Sequence, residues 1–168
     1  MATILLIEPD IPLAKTYARA FVQAGHIVHH ATMAQQAIDL ADTAMPDVVV
    51  LELQLPAHGG IEFLYEFHSY AEWQHVPIII NTITPPQELA AVAPTFREAL
   101  SVRALHYKPQ ASLRLVMRSV NDALTFAAAG KVDENVLLGV DAGTANAVAI
   151  GRSAGKKPPP SVGKKAQT

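Results

Sequence analysis

Three carboxylates stand at the ends of strand-like runs, where an open α/β fold gathers its reactive side chains. Glu52 follows the apolar run Val48 to Leu51 inside PDVVVLELQLPAHGG, residues 46 to 60. That run is too short for a helix, rich in β-branched residues, and bounded by Pro46-Asp47 and by Pro56 with Gly59-Gly60, so it reads as a buried central strand. A parallel strand delivers its last side chain to the carboxyl edge of the sheet, the usual place for ligands. Glu8 and Asp10, separated by Pro9, close a similar run from Thr3 to Ile7. Two acids alone more commonly serve as caps and helix-dipole partners than as metal ligands.

The other candidate chemistry is thinner. All seven histidines precede residue 110. His29 and His30 are adjacent on a strand, so they face opposite sides and cannot chelate one ion together. Trp73, with His68 and Tyr70, falls in a surface connection where packing is the expected role. Thr82 ends the run PIIINT, where a strand-end hydroxyl commonly bonds its own backbone.

The elements that must position these groups alternate regularly. Thr3 to Ile7 is a first strand, and Asp10 caps a helix that opens at Ile11-Pro12 and runs to about Ala24. Leu13, Tyr17, Ala20 and Phe21 mark its buried face, and Gly25 supplies the stop. His26 to Ala31 is a second strand. Thr32 with Gln35 has the form of a capping box for a helix to about Ala44, with Met33, Ala37, Leu40 and Ala41 as its apolar stripe. After the third strand, Ile61 to Ser69 is expected to be a helix with Ile61, Leu64, Tyr65 and His68 facing inward. Pro77 to Thr82 is a fourth strand. Pro85-Pro86 starts a helix that Pro94 breaks, leaving a second short helix to Leu100. A weakly marked fifth strand spans Val102 to Tyr107, and a last helix covers Ser112 to about Ala129 with Leu113, Val116, Met117, Val120 and Leu124 on one face. Strands joined by crossovers of this length lie parallel and are covered on both faces, which gives a doubly wound α/β sandwich.

Composition bounds the rest. The 168 residues are 50% hydrophobic, enough for one core and an appendage. There is no cysteine, which removes disulfides and thiolate metal sites. No apolar run reaches membrane-spanning length and the first residues lack a basic leader, so a cytoplasmic, non-membrane protein is expected. Residues 1 to 130 carry seven Lys/Arg against twelve Asp/Glu, and residues 131 to 168 carry six against three. An acidic body argues against a nucleic-acid groove, which needs clustered Lys/Arg. The division expected is a domain over 1–130 and a low-complexity basic tail over 131–168, ending in GKKPPPSVGKKAQT and largely disordered. Within it, Val136 to Val140 is apolar enough to dock on the domain or on a partner.

Over residues 2 to 128 the chain resembles the receiver domain of two-component response regulators. The resemblance rests on ILLIEPD, PDVVVLELQLPAHGG, VPIIINT and YKP in the right order. It implies a flavodoxin-like (βα)5 fold with a five-stranded parallel sheet, and a signalling module rather than an enzyme. It also implies an acidic pair for a divalent metal, an aspartate as phosphoacceptor, a hydroxyl residue and a lysine. These positions fall on Glu8 with Pro9, on Glu52, on Thr82 and on Lys108 before Pro109. Asp10 lies one residue beyond the pair. The family's aromatic switch position falls on Leu105, with Tyr107 close by.

Two departures bear on chemistry. Pro9 supplies no carboxylate, which weakens any magnesium site built from Glu8, Asp10 and Glu52, since that ion demands near-octahedral oxygen ligands. Glu52 places its oxygens one methylene beyond an aspartate's, and a misplacement on that scale costs roughly a hundredfold in rate. Such a chain is expected to act without phosphorylation, as a pseudo-receiver that binds a sensor kinase or another regulator. Glu52 then serves either as a structural partner of Lys108 or as a fixed charge reaching Thr82 and Lys108. A homodimer through strands four and five and the last two helices is a further expectation. The alternatives are a phosphoaccepting receiver with weak Mg2+ binding and a scaffold whose basic tail binds an acidic partner. No DNA-binding output domain is expected in the 38 residues after 130.

Overall fold

The structure, a computed structural model, describes residues 1–129. The tail boundary and the segment Val136 to Val140 lie outside the described residues. Strand β3 (Val48–Leu51) is buried at every position, as a strand covered on both faces must be. It is flanked by β1 (Thr3–Ile7) and β4 (Ile78–Thr82), with β2 (Ile27–Ala31) and β5 (Val102–Tyr107) at the two edges. All four pairings are parallel and the order is β2-β1-β3-β4-β5. This is the doubly wound order whose switch point lies between β1 and β3.

Side chains alternate across the sheet into two cores. Leu5, Ile7, Val49, Leu51, Ile78 and Ile80 pack with α2 (Ala34–Thr43), α3 (Gly60–Ser69), α4 (Pro86–Leu89) and α5 (Ala93–Ala99). Ile4, Leu6, Val48, Val50 and Ile79 pack with α1 (Ile11–Gln23) and α6 (Leu113–Ala129). Helix α1 opens as expected, with Asp10 accepting the Leu13 amide at 2.9 Å and proline in the first turn. It ends at Gly25, whose φ of +88° is a conformation that only glycine adopts freely.

Several helix faces differ from the sequence reading. On α3 the buried residues are Phe63, Leu64 and Phe67, while Ile61 and Tyr65 are 37% and 52% exposed. Phe63 and Phe67 stack 5.3 Å apart, so the two largest apolar side chains, four residues apart, set the inner face. On α2, Ala34, Ala37, Ile38 and Ala41 are buried and Met33 is exposed. Small residues there let the helix approach the sheet closely. Its start is closed by Gln36, which accepts the Thr32 amide at 2.9 Å, whereas Gln35 donates along the helix to Asp39. Leu13 of α1 is only partly buried and Ala14 takes its place in the core. Along α6, Leu115, Ser119 and Ala123 join Val116 and Val120 inside, while Leu113, Met117 and Leu124 pack at the margin. Trp73 is buried rather than at the surface, stacked 5.0 Å from Phe67 and 4.5 Å from Tyr70.

The β4–β5 pairing shifts register by one residue, Ile78 facing Val102 and Ile79 facing Ala104. Arg103 is the extra residue of this bulge. As a result Val102 and Ala104, two apart in sequence, enter opposite cores. The shift brings Tyr107 opposite Thr82, and the Lys108 amide then donates to the Thr82 carbonyl at 2.8 Å. Lys108 is thereby delivered to the carboxyl edge beside β4.

Candidate functional site

At the carboxyl edge the ends of β1, β3, β4 and β5 bring Glu8, Glu52, Thr82 and Lys108 together. Glu8, Glu52 and Thr82 are 2%, 2% and 0% exposed. Burial of this kind requires every lone pair and proton to be matched. Glu52 meets that requirement in full. Its Oε1 accepts from the Gln54 amide at 2.8 Å and from the Thr82 hydroxyl at 2.5 Å. Its Oε2 accepts from the Ile83 amide at 3.1 Å and from the Lys108 ammonium at 2.6 Å. Four donors occupy the four acceptor positions a carboxylate offers.

Lys108 bridges both acids, with its Nζ 2.5 Å from Glu8 Oε2. The other oxygen of Glu8 accepts the Asp10 amide at 3.0 Å, and the Glu8 carbonyl meets His30 Nε2 at 2.8 Å. Burial alone would lower the lysine's pKa; the hydrogen bonds to Glu52 and Glu8 outweigh it and hold the ammonium above its ordinary value of 10.5. The charge-assisted contacts are the strong kind. Asp10 itself is exposed and caps α1 through its side chain, away from this cluster.

A second tier, which the sequence did not reveal, supports the first. Thr84 donates its amide to Thr82 Oγ1 at 3.1 Å, and the two hydroxyls lie 3.2 Å apart. Gln54 Nε2 donates to Thr84 Oγ1 at 3.1 Å, so the loops after β3 and β4 are tied together. Behind β4, buried Asn81 donates to the Tyr17 hydroxyl of α1 at 3.0 Å. Burial pushes that hydroxyl above its usual 10.0, and the Asn81 bond offsets only part of the rise. Short polar residues next to a strand end were the only signal for Gln54 and Thr84. Tyr17 reads from sequence as an ordinary core position.

Leu105 and Tyr107 fall on β5, Tyr107 opposite Thr82 and Leu105 two residues further into the sheet opposite Ile80. Leu105 is 8% exposed and packs in the core beside α2 to α5, and Tyr107 is half-buried. Gly60 opens α3 directly behind Glu52, and a Cβ there would come within 2.6 Å of Leu53 Cα and 2.8 Å of the Glu52 carbonyl. Glycine is therefore required for α3 to start against the loop that carries the site.

The residues present do not fit a magnesium ion. Lys108 holds the place between Glu8 and Glu52 that a cation would need, both Glu52 oxygens are fully engaged, Pro9 has no ligand to give, and Asp10 caps a helix. Among the described residues no three His, Asp or Glu side chains come together in a way that could hold a metal. Nor, among them, is any helix long and apolar enough to cross a membrane.

Strand order and edge chemistry define a flavodoxin-like domain with an acid, hydroxyl and lysine cluster at the carboxyl edge of its sheet. Residues 4–107 match the family described as the response regulator receiver domain, and the chain belongs to that family. Its members act as signalling and interaction modules. Protein Rrf1 of Nitratidesulfovibrio vulgaris is 31% identical over 81 residues, 48% of this chain and 59% of that protein. The KDP operon transcriptional regulatory protein KdpE of Escherichia coli is 30% identical over 80 residues, covering 48% of this chain and 34% of the other. The matched segment thus spans well under two thirds of these relatives. Among solved structures, the CheY-like receiver domain protein of Methanospirillum hungatei superposes with a TM-score of 0.69 at 16% identity, covering 78% of this chain and 99% of the other. The chemotaxis response regulator CheY4 of Vibrio cholerae gives 0.65 at 19%, covering 73% and 98%. These likenesses carry the fold.

Proposed function

We propose that this chain is a pseudo-receiver, a protein-interaction module of two-component signalling that works without phosphorylation. The observation that carries the reading is the saturation of Glu52. Its two oxygens already take the Thr82 hydroxyl and the Lys108 ammonium, together with two backbone amides. In a phosphoaccepting receiver the hydroxyl and lysine would meet the phosphoryl group. Here a carboxylate one methylene longer holds them by itself.

A nucleophile in phosphoryl transfer needs a free oxygen in line with the donor and a metal to neutralise the transferred group. Glu52 lacks the free oxygen, and the cluster lacks room for the metal, which weighs against the phosphoaccepting alternative. The same contacts set the surface. The Ile83 amide bound to Glu52 anchors the turn after β4, on which the Ile83 side chain is 56% exposed. That turn and the β4–β5 face are where a sensor kinase, another regulator or a second copy would read the fixed state. A sensor histidine kinase, TmoS of Ectopseudomonas mendocina, is among the relatives, at 25% identity over 85 residues. The domain of residues 1–130 would carry this role, with 131–168 as an appendage.

The test is exposure to a small phosphodonor with magnesium. No label is expected on the native chain, whereas the double variant Glu52→Asp with Pro9→Asp gains label. Labelling of the native chain that disappears in Glu52→Gln would overturn the proposal.

A further inference from the structure

The helical layers on the two faces of the sheet carry opposite charge. From residue 20 to residue 96 the chain contains eight Asp/Glu and no Lys or Arg. Folding places the centre of that stretch on one side: Asp39 and Asp42 on α2, Glu62 and Glu66 on α3, all exposed and without a cation on either helix. On the opposite layer, α1 and α6 carry Lys15, Arg19, Arg114 and Arg118 against the single acid Asp122. The α2–α3 pair and the α1–α6 pair therefore have formal charges of −4 and +3, and Glu88, Arg97 and Glu98 on α4 and α5 keep the rest of the first layer net acidic.

Local energetics account for Glu62, which accepts the Gly59 amide at 3.2 Å at the start of α3, and in part for Asp39, which accepts from Gln35 at 3.1 Å, but not for Asp42 and Glu66. Asp42 lies in the last turn of α2, where the helix dipole disfavours an anion. Glu62 and Glu66 are like charges one turn apart, an arrangement that weakens a helix unless a cation is added. Beside them Ile61 and Tyr65 are exposed, so the face offers an apolar strip and an aromatic ring between carboxylates. Lysines and prolines are the residues that such a face recognises, through charge, cation–π contact and ring stacking.

We infer that the α2–α3 face docks the chain's own segment Lys156 to Lys165, KKPPPSVGKK. The segment carries four lysines, three consecutive prolines and no acid, a composition complementary to carboxylates set around an exposed aromatic ring. Helix α6 ends at Ala129 on the basic layer, which repels the lysines, and the complementary layer lies across the sheet. Lys156 lies 27 residues beyond Ala129, a length that as a random coil would span about 30 Å, against a radius of gyration of about 14 Å for a domain of this size. Tethering supplies an effective concentration on the order of millimolar, about a thousandfold above that of a second copy's basic face at micromolar protein. The tethered segment is therefore the favoured occupant. This inference is independent of the reading of Glu52.

Because the chain lacks cysteine, Ser161→Cys accepts a single spin label. In amide spectra of the full chain at low salt, the label is expected to erase signals of α3 and the end of α2 while sparing those of α1 and α6. The signals return at high salt, where screening shortens the reach of the charges. They also return in the variant combining Asp39→Asn, Asp42→Asn, Glu62→Gln and Glu66→Gln, provided its circular dichroism is unchanged. Uniform broadening, or loss of α1 and α6 signals instead, overturns the inference. So does broadening of an unlabelled isotopic chain by a spin-labelled one in a mixed sample, which would make a second copy the occupant.

Discussion

The carboxyl edge of the sheet and the outer faces of its helices treat charge in opposite ways. At the edge, two buried carboxylates share one ammonium, and each Glu52 oxygen receives two donors. On the helices, exposed charges are sorted by sign, acids without a Lys or Arg on α2 and α3 and mostly cations on α1 and α6. The buried arrangement is dictated by desolvation, which makes any unmatched charge costly. The exposed one is tolerated because water and salt screen it, and it remains available to a partner. At the edge every acceptor position of Glu52 is filled, while on the helices the charges stay exposed.

Breaking the edge should have the largest effect. Lys108→Met leaves Glu8 and Glu52 buried against each other without a cation, and urea denaturation at neutral pH is expected to show a loss of about 3–5 kcal/mol. Gly60→Ala should follow, at about 1–3 kcal/mol, because the added Cβ meets backbone rather than a movable side chain. Thr82→Val removes one donor from Glu52 and leaves Oε1 with only the Gln54 amide; about 1–2 kcal/mol is expected in the same measurement.

The pH dependence sharpens the same contrast. Lys108 and Tyr17 both bind their protons more tightly in the folded chain than when exposed. The lysine's contribution is therefore fully present below its ordinary value of 10.5 and is lost as pH rises through the higher folded value. The melting temperature should be steady on the alkaline side up to about that point and then fall, with a shallower fall in Lys108→Met. The smallest effect belongs to the helices. Glu66→Gln on α3 should change stability by no more than about 0.5 kcal/mol, since the side chain is exposed. Its expected consequence is in the binding of lysines, not in folding.

Strand and helix order was legible from residues because buried parallel strands write themselves as short apolar runs, and Asp10-Ile11-Pro12 and Gly25 punctuate α1 by backbone chemistry alone. The fifth strand was faint for a physical reason. The bulge at Arg103 breaks the alternation that marks a strand, so Val102 and Ala104 cannot both be placed on one face. The inner face of α3 was misread because Ile61 and Tyr65 keep helical spacing with Leu64. Phe63 and Phe67, stacked on each other with Phe67 also stacked on Trp73, fill the core instead. Such a choice is made by volume and shape, which a one-dimensional pattern does not contain.

The sequence by itself determined that Glu52, Thr82 and Lys108 would close the third, fourth and fifth strands, that position 9 carries no carboxylate, and that basic residues would be scarce over a long central stretch. These follow from residue identity and chain order. Only the tertiary structure decided that Glu52 would be saturated, since its donors come from β3, β4 and β5 and meet at distances of 2.5 to 3.1 Å. Only folding, too, turned a linear scarcity of lysine into an acidic face opposite a basic one, because the strand order puts α2 and α3 on one side of the sheet and the terminal helices α1 and α6 on the other. Hydrogen-bond saturation and charge separation are relations between distant residues, and distance in space is fixed by packing.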